Sequence, residues 1–194
     1  MIKRLLIYAV LCIFPVTGTA EELHVDRDKP NLVKFISDAK IETFEGVTSS
    51  IDGYLYWEGD SLTNKSKLYF EVDLNSIDTG IGLRNRHMRE NYLNTDKWPY
   101  TKYTGRIIKS SLVEQAVWNV TTEGTMFIHG LEQPLSVTGR IEQVEAGSYR
   151  VTVNFTIRLS DYGIEIPSLM FLKIDENMEL VLDFYLENVA VTEE

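Results

Sequence analysis

Val151-Thr152-Val153-Asn154-Phe155-Thr156-Ile157-Arg158-Leu159 decides the fold. Apolar residues hold every odd position of this run and polar residues every even one. A period of two sends successive side chains to opposite sides of an extended chain, so the run is a strand with one buried face and one wet face. Just upstream, Ala146-Gly147-Ser148 separates it from Leu135, Val137, Gly139 and Ile141, which alternate in the same way, and the two runs read as a hairpin. Downstream, the last strand carries Met178, Leu180, Leu182, Phe184 and Leu186 inward with Glu179, Asp183 and Glu187 outward.

The pattern extends toward the N-terminus. Val117 to His129 reads as one long bent strand with Gly124 as a bulge, and Tyr100 to Lys109 as another strand. Leu68, Phe70, Val72 and Leu74 alternate with polar neighbours, as do Ile51, Gly53, Leu55 and Trp57 before the polar turn at Gly59-Asp60. Asn31 to Ser37 is a strand, and Ala39 to Thr48 is an irregular segment or a single helical turn. The count is about eight or nine strands and one helix, which makes the chain all-β. Long alternating strands favour a single antiparallel up-and-down barrel, whose closure removes the exposed edges that invite aggregation. At about eight strands the interior is either filled by side chains or holds one small ligand. Large inward residues (Phe70, Trp118, Phe155, Phe184) mixed with small ones (Gly53, Gly105, Gly139) suit an elongated apolar pocket and a packed core equally well.

The first 20 residues read as a secretory signal peptide: Lys3 and Arg4, then an apolar run from Leu5 to Val16, then Gly18-Thr19-Ala20 at the cleavage site. The run is shorter than the ~20 residues that span a bilayer. Cys12 lies inside it after the bulky Leu11, which argues against lipidation. Cleavage after Ala20 leaves 174 residues, no cysteine, and 17 basic against 29 acidic side chains. The expectation is a single domain over residues 21–194, exported to the periplasm or secreted, held together by its core rather than by disulfides, with no integral membrane segment. The acidic balance argues against nucleic acid and against anionic membrane surfaces.

The dense polar cluster is Ser76 to Pro99, SIDTGIGLRNRHMRENYLNTDKWP, inserted between two strands. On a helix from Leu83 to Leu93, Arg84, His87, Met88, Asn91 and Tyr92 share a face, while Arg86, Arg89 and Glu90 fall on the other. Arg86 and Glu90 are spaced for an i,i+4 pair. Met88 and Tyr92 turn toward the protein and carry Arg84 and His87 inward, where Asp78 or Thr79 can meet them. An inward arginine needs partners, because an isolated buried charge is costly. Two readings are open: a polar collar holding a ligand's head, or a satisfied network pinning the helix to the barrel.

These residues resemble the YceI family. The motif I-D-T-G followed by R-D-x-H-L-R and an aromatic step to Y-P stands here as Ile77-Asp78-Thr79-Gly80, Arg84-Asn85-Arg86-His87-Met88-Arg89, Tyr92-Leu93 and Trp98-Pro99. The family's L-x-I-H-G-V-x-x-P-V is similar to Met126-Phe127-Ile128-His129-Gly130-Leu131-Glu132-Gln133-Pro134-Leu135. Asp161-Tyr162-Gly163-Ile164, and Phe35 with Phe44-Glu45-Gly46, extend the likeness over most of the chain. The resemblance implies a lipocalin-like barrel around a long apolar channel. It implies an apolar or amphiphilic ligand (a polyisoprenoid, isoprenoid quinone or fatty-acid amide), no other cofactor, and a possible homodimer. By the same likeness Arg84, His87 and Tyr92 lie near the ligand's polar end; the inward-alternating Phe70, Trp118, Phe155 and Phe184 are the candidates to line the pocket. Asn85 stands where the family carries Asp, which removes a carboxylate partner for a nearby arginine.

Ile164 to Ile174 is unusually apolar for a loop and reads as a lid, an interface, or a strand broken by Pro167. His24, His87 and His129 are the only histidines, and none has a second ligand at metal-site spacing. His129 beside Gly130 reads as a hydrogen-bonding turn. No Gly-x-Ser-x-Gly, phosphate loop or dinucleotide fingerprint occurs. A ligand carrier is the first expectation, a non-enzymatic envelope interaction protein with a filled barrel the second, and a hydrolase the third.

Overall fold

A computed structural model describes residues 20–38, 43–165, 168–169, 172–173 and 175–189. The main strands are β1 (Ala20–Val25), β2 (Leu32–Asp38), β3 (Thr43–Thr48), β4 (Ile51–Glu58) and β5 (Lys67–Asp73) before the insertion. After it come β6 (Tyr100–Glu114), β7 (Val117–Ile128), β8 (Leu131–Glu145) and β9 (Ser148–Arg158). A two-residue hairpin follows, β10 (Ser168–Leu169) with β11 (Leu172–Lys173), then β12 (Asn177–Asn188). The sheet runs β1-β4-β5-β6-β7-β8-β9-β12-β2-β3 and closes on itself through β1 and β12. β1 with β2, and β3 with β4, act as two long bent strands, so the result is a closed eight-stranded antiparallel barrel.

The alternation read from the sequence places the buried faces correctly. Ile51, Gly53, Leu55 and Trp57 are all buried, and every second residue between them is half-exposed. The strand positions differ in four places. β1 begins at Ala20, which reads in sequence as the last residue of the leader; residues 1–19 lie outside the described chain. The segment read as irregular contains a true strand, β3, whose Glu45 and Gly46 are poor strand formers held by pairing with β2. β6 runs past Lys109 to Glu114, because β7 continues to pair with it after β5 has stopped at Gly105. Gly124 is not a bulge. It lies opposite Gly105, and a Cβ on it would come 2.3 Å from the Thr104 carbonyl oxygen, so the glycine pair allows a close backbone approach. The bulges fall in β6, between Ile107 and Lys109 and between Leu112 and Glu114, and in β8 between Gln143 and Glu145.

β12 changes partner midway, and Asn31 manages the change. Its N-terminal half pairs with β2 through Asp183, and its C-terminal end pairs with β1 from Leu186. Between them the Tyr185 N–H donates to Asn31 Oδ1 at 2.9 Å, and the Tyr185 carbonyl accepts from Asp26 N–H at 2.9 Å. Asn31 Nδ2 donates in turn to the Asp26 carbonyl at 2.8 Å. A buried amide thus supplies the backbone partners that neither strand can reach.

The interior is divided along the barrel axis. One end is a filled core built around Leu23, Leu55, Ile107, Ile141, Phe184 and Leu186. The other end has a looser cluster of Met126, Ile128, Ile157, Tyr162, Ile164 and Met178 along its walls. Among the described residues no helix is long and apolar enough to cross a membrane.

Candidate ligand chamber

The insertion sits over the looser end. Gly82–His87 is α-helical (α1), and Met88–Leu93 continues as a π-helical turn that ends at Asn94 in the left-handed region (φ 48°). The single helix expected from Leu83 to Leu93 therefore widens at Met88. Widened turns of this kind recur at functional sites, and here Met88, Tyr92 and Leu93 all border the same cavity. His129 anchors the end of the turn: Asn94 Nδ2 donates to His129 Nε2 at 2.8 Å, which leaves His129 Nδ1 to donate to the Tyr162 carbonyl at 3.2 Å. With φ of 52° at His129 and 85° at Gly130, these two residues form the tight β7–β8 turn expected of them. Trp98 packs edge-on against Phe127 at 5.7 Å between ring centres and lies against Gly130, a strand-entrance contact as read in sequence.

Beneath the insertion is a chamber of about 700 Å3. A second, narrower chamber of about 120 Å3 extends it toward the filled end. Both are bordered by Val72, Thr101, Met126, Phe155 and Leu182, which form the waist between them. The wall of the lower chamber is apolar. Its one phenol, Tyr103, is engaged with Thr122 Oγ1 at 2.9 Å and with the Leu135 carbonyl at 3.1 Å, and burial pushes its pKa up. The barrel is thus wide under the insertion and narrows toward its other end, where only the small chamber remains among the core residues Leu55, Ile107, Ile141, Phe184 and Leu186.

Arg84, His87 and Tyr92 all border the upper chamber at its mouth, Phe155 stands at the waist, and Phe70 and Phe184 wall the lower chamber. Phe70 and Phe184 meet edge-on with ring centres 5.1 Å apart. Trp118 borders neither chamber. Cross-strand from Leu112 and Ile141, it packs on the filled end, beyond the reach of a ligand tail. Asn91 and His87, both expected on the inward face, are exposed, although His87 still borders the chamber. Arg86 and Glu90 make no ion pair among the described residues, and Arg89 reaches back to the Asn75 carbonyl at 3.3 Å rather than lying free on the solvent face.

Sequence reading did not assign Phe44, Gly46 or Glu165 to the site. The Arg84 guanidinium lies 4.4 Å over the centre of the Phe44 ring. A Cβ on Gly46 would strike the Phe35 ring at 2.2 Å, so this glycine lets that ring lie across β3 at the chamber wall. The signal was the Phe44-x-Gly46 step, which is too short to show a period. Exposed Ile81 and Leu83 complete an apolar lip. The Leu169-Met170-Phe171-Leu172 side chains lie outside the described residues.

The polar groups under the lip form a connected clamp. Arg84 Nε donates to Thr79 Oγ1 at 3.0 Å, and Arg84 also donates to the Thr79 carbonyl at 2.7 Å. Thr79 Oγ1 donates onward to Asn85 Oδ1 at 2.6 Å, and Asn85 Nδ2 donates to Asp78 Oδ1 at 2.7 Å. Asp78 also exchanges both backbone hydrogen bonds with Val47, each 2.9 Å, tying the loop to β3. Asn85 therefore bonds to Thr79 and Asp78, and its amide accepts and donates at once, which a carboxylate cannot do. The Asn85 amide, and then the Gly80 N–H, hold the Asp78 carboxyl below its ordinary pKa. Asn85→Asp would place two carboxylates in contact, which raises the pKa of one of them. The variant is expected to melt a few degrees below the parent at pH 7. In the parent, a depressed folded-state pKa contributes stability above the unfolded value near 4 and loses it as pH falls through the folded value. In the variant the raised carboxyl behaves oppositely, so the gap between the two proteins should close as pH drops toward 5. Melting curves across that range check the prediction.

Among the described residues no group of three or more His, Cys, Asp or Glu side chains is placed to hold a metal ion. The family model of the YceI-like domain matches residues 24–186, a span that runs from within β1 to within β12 and includes both motif segments, Ile77 to Pro99 and Met126 to Leu135.

The chain belongs to the YceI family.

Solved structures share the fold. BcnA of Burkholderia cenocepacia matches with a TM-score of 0.68 at 15% identity, covering 83% of this chain and 98% of BcnA. A polyisoprenoid-binding domain from Saccharophagus degradans, implicated in plant cell wall breakdown, matches with a TM-score of 0.68 at 17% identity, covering 88% of this chain and all of that one (100%). A mutant YceI protein of Campylobacter jejuni, solved with a monobromobimane guest, has a TM-score of 0.59 at 17% identity, covering 75% and 84% of the two chains. At such identities the likeness is one of fold. No functionally curated protein matches this sequence.

Proposed function

We propose that this YceI protein binds and carries a single-headed amphiphile, of the polyisoprenoid, isoprenoid quinone or fatty-acid amide type, with its tail in the barrel and its head at the mouth. One observation carries the reading: an apolar chamber of about 700 Å3 whose ionisable lining residues are Arg84, His87 and Glu165, continued by one of about 120 Å3 whose one ionisable border residue besides Tyr103 is Lys102, 3.7 Å from Glu71. Ligand sites of globular proteins span roughly 300–1,000 Å3 and combine apolar walls with a few polar groups that fix orientation. The Tyr103 hydroxyl in the lower chamber is already hydrogen-bonded within the protein, so a second polar head at that end would find no ready partner. The polyisoprenoid-binding domain of Saccharophagus degradans supports this ligand class by its shared fold.

We read the role as sequestration rather than chemistry: the Thr79, Asn85 and Asp78 groups beside Arg84 are committed to one another. We place the working protein in the periplasm or outside the cell, after removal of a leader of about 20 residues. Protein purified without detergent and extracted with organic solvent should yield a stoichiometric amphiphile with one polar end by mass spectrometry. Extracts containing no lipid, together with no uptake of an added isoprenoid quinone by the purified protein, would overturn the carrier reading.

A further inference from the structure

At the lip of the upper chamber two aliphatic side chains project into solvent. Ile81 is 50% exposed and Leu83 54%, and both border the chamber. They belong to the stretch Gly80-Ile81-Gly82-Leu83, where a Cβ on either glycine would meet nothing within 4 Å. The stretch is a projection rather than a packed turn. Ile81 also occupies the N-cap of α1 and makes no side-chain cap hydrogen bond. Serine, threonine, aspartate and asparagine are preferred at that position because they bond the free N–H groups of the first turn. An exposed isoleucine gives up the cap without entering the core, so neither helix nor core accounts for it. The acidic balance of the whole chain is reversed beside it. Within Gly82–Leu93 three arginines stand against one carboxylate, Glu90. Arg86, three residues beyond Leu83 and so its neighbour on the helix surface, is exposed and makes no ion pair among the described residues. Asp78 is held by Asn85, and Glu165 is the one carboxylate residue bordering the chamber.

We propose that this projection docks the protein on an anionic phospholipid bilayer, with Ile81 and Leu83 entering the interface and Arg86 meeting lipid phosphates. Exposed aliphatic side chains gain by leaving water, and flanking cations gain from anionic headgroups. At physiological salt a charge acts over about 8 Å, so the arginine-rich insertion rather than the chain's total meets the surface. The acidic remainder turns the rest of the barrel away from it. The purpose of docking here rests on the carrier reading: a tail that dissolves in lipid and not in water passes between bilayer and chamber across this lip.

The parent protein should float with vesicles of phosphatidylethanolamine and phosphatidylglycerol, and at least tenfold less with phosphatidylcholine alone. Ile81→Ser with Leu83→Ser should weaken vesicle binding at least tenfold without lowering the melting temperature, because serine supplies the missing cap. Arg86→Glu, at a position bordering neither chamber, should weaken vesicle binding and leave the melting shift with dissolved isoprenoid quinone intact. Leu83→Trp should be quenched by brominated acyl chains. Leu112→Trp should not, although Leu112 is 62% exposed, because it lies cross-strand from Trp118 at the opposite end of the barrel. If the double-serine variant fails to fold, the quenching comparison decides. No flotation of the parent, equal flotation with phosphatidylcholine, variants that bind like the parent, or quenching of L112W as strong as that of L83W would each overturn the docking. Quinone uptake without vesicle binding fails the docking alone; vesicle binding without quinone uptake fails the carrier reading and supports the docking.

Discussion

Leu180→Trp combined with Ile157→Trp is expected to abolish the stabilisation that an isoprenoid quinone gives the parent protein. Both side chains border the upper chamber, from β12 and β9 respectively, and neither takes part in the Arg84 clamp. A ligand that binds only the folded state at a hundredfold excess over its Kd adds about 2.7 kcal/mol. For a chain of this size that is roughly 5–10 °C in Tm. Two indoles directed into the chamber remove the space for the tail while adding apolar contacts, so the ligand-free variant should melt at or near the parent's temperature. A full ligand-induced shift in this variant would show that the ligand lies elsewhere, and the chamber would then have no part in binding.

Phe184→Ala should be the most damaging single truncation. Phe184 is 2% exposed, belongs to the filled end of the barrel, and is packed edge-on against Phe70. Removing a buried phenylalanine costs about 3–5 kcal/mol, part transfer free energy and part unfilled cavity. Against a total stability of ordinary size, about 5–15 kcal/mol, that is a large fraction. Phe184 also walls the lower chamber, so the vacated volume merges with it. The variant should therefore lose several degrees of melting temperature when empty and recover part of the loss with amphiphiles whose tails are longer than the parent's best ligand. A loss below about 1 kcal/mol by denaturant titration would mean that the filled end is not the stabilising core of the molecule.

The two variants probe opposite ends of one barrel, and the ends differ in how legible they were. Alternation along β4, β9 and β12 identified the inward residues of both, because a two-residue period survives whatever lies across the barrel. It could not say whether inward side chains meet. Phe70 and Phe184 do meet; Phe155 and Leu180, identical in pattern and cross-strand neighbours, face a void. Trp118 has the same inward parity and belongs to the packed end. The clamp was legible in part. Thr79 does meet Arg84, but a one-dimensional reading could not show that Asn85 binds Asp78 and Thr79.

The amino-acid order alone determined the all-β class, the antiparallel barrel, the inward and outward faces and the placement of one arginine-rich helical insertion. Each of these follows from local periodicity and turn chemistry. Only the tertiary structure decided where the barrel is hollow and which polar groups are spent on one another. These depend on distances between residues far apart in the chain, and a pattern read along one strand carries no information about them.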